Sequence, residues 1–258
     1  MLKSLHSFRL LTTAQVQRLH FVDGPHLSRI RRAQYVLKRL QELGLVVRLD
    51  RLIGGVRAGS SGFVYGLSAV GQTVLEVGGP AGGPRRRVWD TRPYFQDHML
   101  AVAELYVRLR ELERHDHMEL LTFDGEPASW RHFTGSGGEL VMVKPDAYVR
   151  VGFQEFERRA FVEVDLSTES LPTIERKCLR FIAHWRSGVE QQRHGVYPMV
   201  VWLVPDERRR QNIQRVIRRF TMEEAQLFTV ALAADGPAFL SAPPAAGMDE
   251  HTNDRAPP

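Results

Sequence analysis

The sequence predicts an α+β protein in two parts: a small helical unit carrying a β-hairpin, then a larger unit of alternating helices and strands. Three observations predict this. Apolar residues recur at the helical period over residues 28–43. Two short strand-like runs follow, separated by a glycine-rich stretch. From residue 97 onward, helix-period and strand-period segments alternate. A chain of 258 residues that is 43% hydrophobic can fill two ordinary cores.

Residues 10–19 read as a short helix with a Thr N-cap and Gln at capping-box distance. Asp23-Gly24-Pro25 places a turn in residues 21–27. The helix over residues 28–43 puts Ile30, Ala33, Val36, Leu37, Leu40 and Leu43 on one arc. Its opposite arc holds Ser28, Arg31, Arg32, Gln34, Tyr35, Lys38 and Arg39. Gly44 follows at the position where a left-handed residue ends a helix. Residues 45–49 and 63–67 are strand-like, residues 53–62 form a glycine-rich tip, and residues 68–75 make a short helix. Helix, turn, helix, hairpin and short helix, in that order, are the parts of a winged helix-turn-helix.

Charge gives this unit a partner. Residues 1–95 carry 15 Lys and Arg against 5 Asp and Glu, a net of +10, whereas the whole chain is only +5, leaving −5 on the remainder. A basic helix face is often merely solvated, but positive charge gathered around one amphipathic helix is the footprint of a nucleic-acid module. Double-stranded DNA is therefore the expected partner. Ser28, Arg29, Arg31, Arg32, Tyr35, Lys38 and Arg39 are expected in the major groove, with Arg57 at the hairpin tip reaching backbone or minor groove.

Several classes are excluded or weakened. The one cysteine, Cys178, allows no intrachain disulfide and suits a reducing compartment. Residues 1–7 lack the apolar stretch of a secretory signal, and no run approaches the roughly 18 apolar residues of a membrane span, so a cytoplasmic setting is expected. No phosphate-cradling Gly-Lys-Ser/Thr loop supports ATP use, and one Cys among scattered His residues argues against zinc. His115-Asp116-His117 has an acid between its histidines and sits at a helix end, so it does not form the metal pair of a nicking relaxase. Residues 76–87, rich in Gly and Pro and ending in three arginines, read as a linker; the arginines either touch phosphates or only solubilise it. The resulting division is residues 1–76, a linker at 77–94, an α/β domain at 95–240 and a disordered tail at 241–258.

In the larger unit a helix is expected over residues 99–112, with Leu100, Ala103, Val107 and Leu112 on one side. Residues 119–123, 139–151 and 159–166 read as three strands. A helix over 172–185 follows, with Ile174, Cys178, Phe181, Ile182 and Trp185 on its apolar face. Residues 197–204 form a strand apolar enough for burial on both faces. An Arg-rich helix over 206–220 and a strand over 227–232 complete a mixed sheet flanked by helices. The Arg-rich helix is expected to be a solvated amphipathic one, with phosphate binding as the alternative.

Acidic residues fall at particular places in this pattern. Asp146 follows Lys144-Pro145, and Glu163 and Asp165, two apart on a strand, project to one face. Three carboxylates meeting at a sheet end would suit Mg²⁺ or Mn²⁺ and the cleavage of a phosphodiester. Capping of helices, or pairing with Arg158, Arg159 or Arg176, is the structural alternative.

Pro145-Asp146 and Glu163 resemble the Pro-Asp…(Asp/Glu)-x-Lys signature of the restriction-endonuclease-like, or PD-(D/E)XK, nucleases. The resemblance implies a mixed-sheet domain of that type and catalytic roles for Asp146, Glu163 and Asp165. Asp165 stands where the signature has Lys, and an acid cannot supply that positive charge; Lys177 on the next helix is the candidate replacement. Glu104 on the first helix is a candidate extra acid.

Over residues 10–232 the chain also resembles the replication-relaxation family of plasmids and other mobile elements of Gram-positive bacteria. The resemblance rests on residues 11–21, on Arg31-Arg32 with residues 40–46, on residues 64–71, on Pro145-Asp146-Ala147-Tyr148 and on residues 161–169. It implies DNA binding in replication, relaxation or transfer, with a degenerate nuclease-like domain and with other replication or transfer proteins as possible partners. Two alternatives stand beside it: a metal-dependent endonuclease using Asp146, Glu163 and Asp165, and a transcription regulator whose second domain dimerises or senses a ligand. A homodimer is compatible with each.

Overall fold

The computed structural model describes residues 1–49, 63–77, 93–115, 118–153 and 156–243. Arg57, most of the expected linker and most of the expected tail lie outside them.

The N-terminal unit runs α1 (Leu2–Phe8), β1 (Leu10–Thr12), α2 (Thr13–His20), α3 (His26–Glu42), β2 (Val46–Leu49), β3 (Val64–Leu67) and α4 (Ala69–Val77). Its sheet is antiparallel in the order β1-β3-β2. The expected helix over 10–19 is thus shorter, because Leu10–Thr12 pairs with β3 and helical geometry starts only after Thr12. Thr12 accepts the Gln15 N–H and Gln15 answers Thr12 N–H at 2.9 Å, a complete capping box. The helix α1 ahead of it was not anticipated from the sequence.

The helix α3 ends in a Schellman motif. Gly44 has φ 68°, its N–H donates to Gln41 O at 2.9 Å, and Leu45 N–H donates to Leu40 O at 2.9 Å. Ala33 and Leu37 are buried, and Ile30, Val36 and Leu40 are half-buried. Leu43, expected on this apolar arc, is 54% exposed because the helix stops at Glu42 and the stripe stops with it.

The larger unit begins with α5 (Pro93–His115), followed by β4 (Glu119–Gly125), β5 (Arg131–Thr134), β6 (Leu140–Val143), β7 (Ala147–Gly152) and β8 (Glu157–Val164). Then come α6 (Leu171–Arg186), α7 (Val189–His194), β9 (Met199–Val204), α8 (Glu207–Ile217), α9 (Met222–Ala225), β10 (Phe228–Leu232) and α10 (Gly236–Ser241). The five-stranded sheet has the order β10-β9-β8-β7-β4, with β8, β9 and β10 parallel and β7 antiparallel to both neighbours. The single strand expected over 139–151 is two strands. Pro145 and its neighbours interrupt it, β6 pairs with β5 in a separate hairpin, and only β7 joins the main sheet. Residues 236–241, for which the sequence predicts no element, are helical, and only Ser241 of them belongs to the expected tail.

Alternating residues of the sheet feed two cores. Ala147, Val149, Ala160, Val162 and Leu203 pack with α5 and α10, while Tyr148, Phe161, Val200 and Trp202 pack with α6 and α8. A third core joins the units: Leu5, Phe8, Leu11, Val16 and Leu37 of the N-terminal part pack with Ala103 of α5. Phe8 meets Tyr106 at 4.6 Å and Phe123 at 5.7 Å between ring centroids. Polar contacts reinforce this seam. Arg18 reaches Glu104 at 2.6 Å and Glu111 at 2.5 Å, and Gln15 donates to Leu100 O at 2.9 Å. Among the described residues, no helix is long and apolar enough to cross a membrane.

Candidate functional site

Two places in this architecture carry the residues singled out by the sequence. The first is the outer face of α3, which packs inward on α2 and β2. Ser28, Arg31, Arg32, Tyr35, Lys38 and Arg39 are exposed, Tyr35 at 71%. They divide by what they touch. Arg29 is half-buried and donates to Val22 O at 3.3 Å, and Arg32 donates to Asp23 O, so both tie α3 to the preceding turn. Lys38 and Arg39 lean on Glu42 at 3.9 and 3.7 Å, exposed contacts of little energetic weight. Among the described residues, Arg31 and Tyr35 have neither ion pair nor hydrogen bond.

The second place is the end of the main sheet where β8 finishes and β7 begins. Asp146 precedes β7 and is 7% exposed, while Glu163 is the penultimate residue of β8 and is 1% exposed. Lys177 arrives from the second turn of α6, a helix started by Ser170 as its N-cap with Pro172 in the first turn. Lys177 Nζ lies 2.9 Å from Glu163 Oε2 and 3.0 Å from Glu169 Oε1. Asp146 Oδ2 accepts Val164 N–H at 2.6 Å, and Oδ1 lies 3.0 Å from His98 Nε2.

The electrostatics are those of a crowded, desolvated cluster. Burial pushes the Glu163 carboxyl well above the usual carboxylate range, the charge of Asp146 adds to this, and Lys177 opposes both. Burial works to lower the Lys177 pKa, but the charges of Glu163 and Asp146 outweigh it and hold the ammonium protonated. For His98, burial likewise lowers the pKa, and the hydrogen bond and charge of Asp146 reverse it, giving a net upward shift.

Asp165 does not join this group. It follows the end of β8, and Arg209 of α8 holds it through both oxygens, at 2.6 and 2.9 Å, with both residues buried. Glu104, the other candidate acid, is taken by Arg18 at the seam between units. Among the described residues, no group of three or more His, Cys, Asp or Glu side chains is arranged to hold a metal ion. The three-carboxylate arrangement expected from the sequence is therefore not formed. What remains is Asp146 and Glu163, a hard oxygen pair. It fits Mg²⁺ or Mn²⁺, since Mg²⁺ commonly binds through one or two carboxylates, waters and substrate phosphates.

Sequence reasoning missed His98, Glu169 and Arg209. The helix α5 begins earlier than its periodicity suggested, so His98 fell outside it, and Arg209 was submerged in an arginine-rich run. Beside Asp146 and His98 a small open pocket is lined by Phe95, Glu126 and, from the N-terminal unit, Phe8 and Arg9.

A family model described as replication-relaxation matches residues 2–200. No curated protein and no solved structure matches the chain.

Proposed function

The chain belongs to the replication-relaxation family, and from that premise we propose that it binds duplex DNA through α3 and acts on the phosphodiester backbone at Asp146, Glu163 and Lys177. The observation that carries this reading is the position of Lys177. Its ammonium lies 2.9 Å from Glu163, supplied by a neighbouring helix in place of the signature's Lys, whose position Asp165 occupies in this chain. The departure that weakened the sequence resemblance is thus offset in space.

The N-terminal order of helix, strand, helix, helix and two strands supports a winged helix, with α3 as the helix that enters the major groove. Arg31 and Tyr35 are the groups best placed to reach base edges, whereas Arg29 and Arg32 hold the turn that aims them. In the second unit, the mixed sheet with Asp146 and Glu163 at one end supports the restriction-endonuclease-like reading. Asp146 and Glu163 would hold the divalent cation, which when bound polarises the phosphate and lowers the pKa of water. Lys177 neutralises Glu163 and adds positive charge where an anionic phosphate would sit. A role in replication, relaxation or transfer of a plasmid or mobile element follows from a protein that both grips and nicks DNA.

Supercoiled plasmid incubated with the full chain and Mn²⁺ tests the proposal. Nicking is expected, with a loss of about 100-fold in Asp146→Asn and in Lys177→Met. Intact supercoiled, linear and single-stranded DNA in Mg²⁺ and in Mn²⁺ would reject the cleavage half and leave a DNA-binding protein. A mobility shift unchanged by Arg31→Ala together with Tyr35→Ala would reject the assignment of α3.

A further inference from the structure

Asp146 is gripped from two directions, and one of them comes from the opposite helical layer. Its Oδ2 is fixed by the backbone N–H of Val164, next to Glu163 on the same strand. That bond alone leaves the second oxygen free to swing. The second oxygen lies 3.0 Å from His98 Nε2, and His98 belongs to α5, which covers the sheet face away from α6. The ring therefore reaches around the end of the sheet to meet a carboxylate whose working partners, Glu163 and Lys177, lie on the other side. A carboxylate can only accept, so the ring donates Nε2–H to it.

We infer that His98 is a positioning residue of this site: it locks the Asp146 carboxylate in the orientation that lets Asp146 and Glu163 share one divalent cation. The inference rests on the proposed function above. Supporting partners of this kind orient metal-binding carboxylates, and their loss typically costs 10- to 100-fold in metal affinity or activity. Its setting also ties the site to the N-terminal unit. The same helix offers Leu100 O to Gln15 and Glu104 and Glu111 to Arg18, and the pocket beside His98 is walled by Phe8 and Arg9.

The test is Mn²⁺ titration of the full chain, followed by electron paramagnetic resonance, with plasmid nicking measured in parallel. His98→Leu keeps bulk and removes the donor, and His98→Gln restores a donor at similar reach. Mn²⁺ affinity is expected to fall about 10- to 100-fold in His98→Leu, with nicking recovered at high Mn²⁺ and metal-free duplex binding unchanged. His98→Gln should remain within about threefold of the parent chain. Two equally unaffected variants, in a parent that binds Mn²⁺ and nicks, would overturn the inference alone. Equal losses in His98→Leu and His98→Gln would also overturn it. A parent chain that neither binds Mn²⁺ nor nicks would overturn the proposed cleavage and this inference together.

Discussion

Arg209 holds Asp165 through both carboxylate oxygens while donating a further hydrogen bond to Glu169 O at 2.7 Å, so neither side chain is available for chemistry. The pair does structural work, fastening the start of α8 to the end of β8. Replacing Arg209 with Met strands a buried carboxylate and is expected to cost about 3–5 kcal/mol in urea unfolding. Asp165→Asn combined with Arg209→Met should recover much of that loss, and Asp165→Asn alone should keep nicking within a few-fold of the parent. A collapse of nicking in a folded Asp165→Asn variant would return Asp165 to the reactive group. Asp146, Glu163 and Lys177 were legible because a dipeptide, a strand and a helix face each announce themselves locally. The fate of Asp165 was not, because its partner is 44 residues away and only the packing of α8 on α6 and the sheet brings them together.

At the scale of the element, α3 shows how far periodicity reads and where it stops. Its helical period, its stop at Gly44 and its exposed basic arc were visible in the sequence. The interplay of that arc with the preceding turn was not, since it depends on the course of Val22 and Asp23. This distinction separates two arginines one residue apart. Arg31→Ala should leave stability within about 0.5 kcal/mol while lowering duplex affinity and flattening its salt dependence by about one unit of slope. Arg32→Ala should lower both melting temperature and affinity, because it releases the turn. Equal effects from the two variants on melting and on binding would contradict this division. Gly44→Ala meets no neighbouring atom, so its cost is backbone strain at φ 68°, about 1 kcal/mol. That loss should appear in urea unfolding without a change in duplex affinity, since Gly44 lies at the far end of α3 from its first turns.

For the whole molecule, the decisive element is α5, which serves the core of both units. The charge contrast between a basic N-terminal part and an acidic remainder was legible in the composition, but its local expression at Arg18, Glu104 and Glu111 required two helices from different units to meet. The Arg18 hydrogen bond holds the Glu111 carboxyl below the usual carboxylate range, with burial working in the opposite direction. Because the folded pKa lies below the unfolded one, the unfolded chain binds more protons between the two values, and stability rises with pH across that window. The contribution is complete above the ordinary value of 4.5 and is lost as pH falls through the depressed one. These side chains are about one-third exposed, so solvent screening limits the pair to roughly 1 kcal/mol. Arg18→Ala should therefore destabilise the chain by about that much at pH 7, and the difference from the parent should shrink as pH drops below 4.5. Urea unfolding of both proteins from pH 7 to pH 3 measures it. A gap that stays constant on acidification would mean that Arg18 holds the units together through its stem and its packing, not through the charge of Glu111.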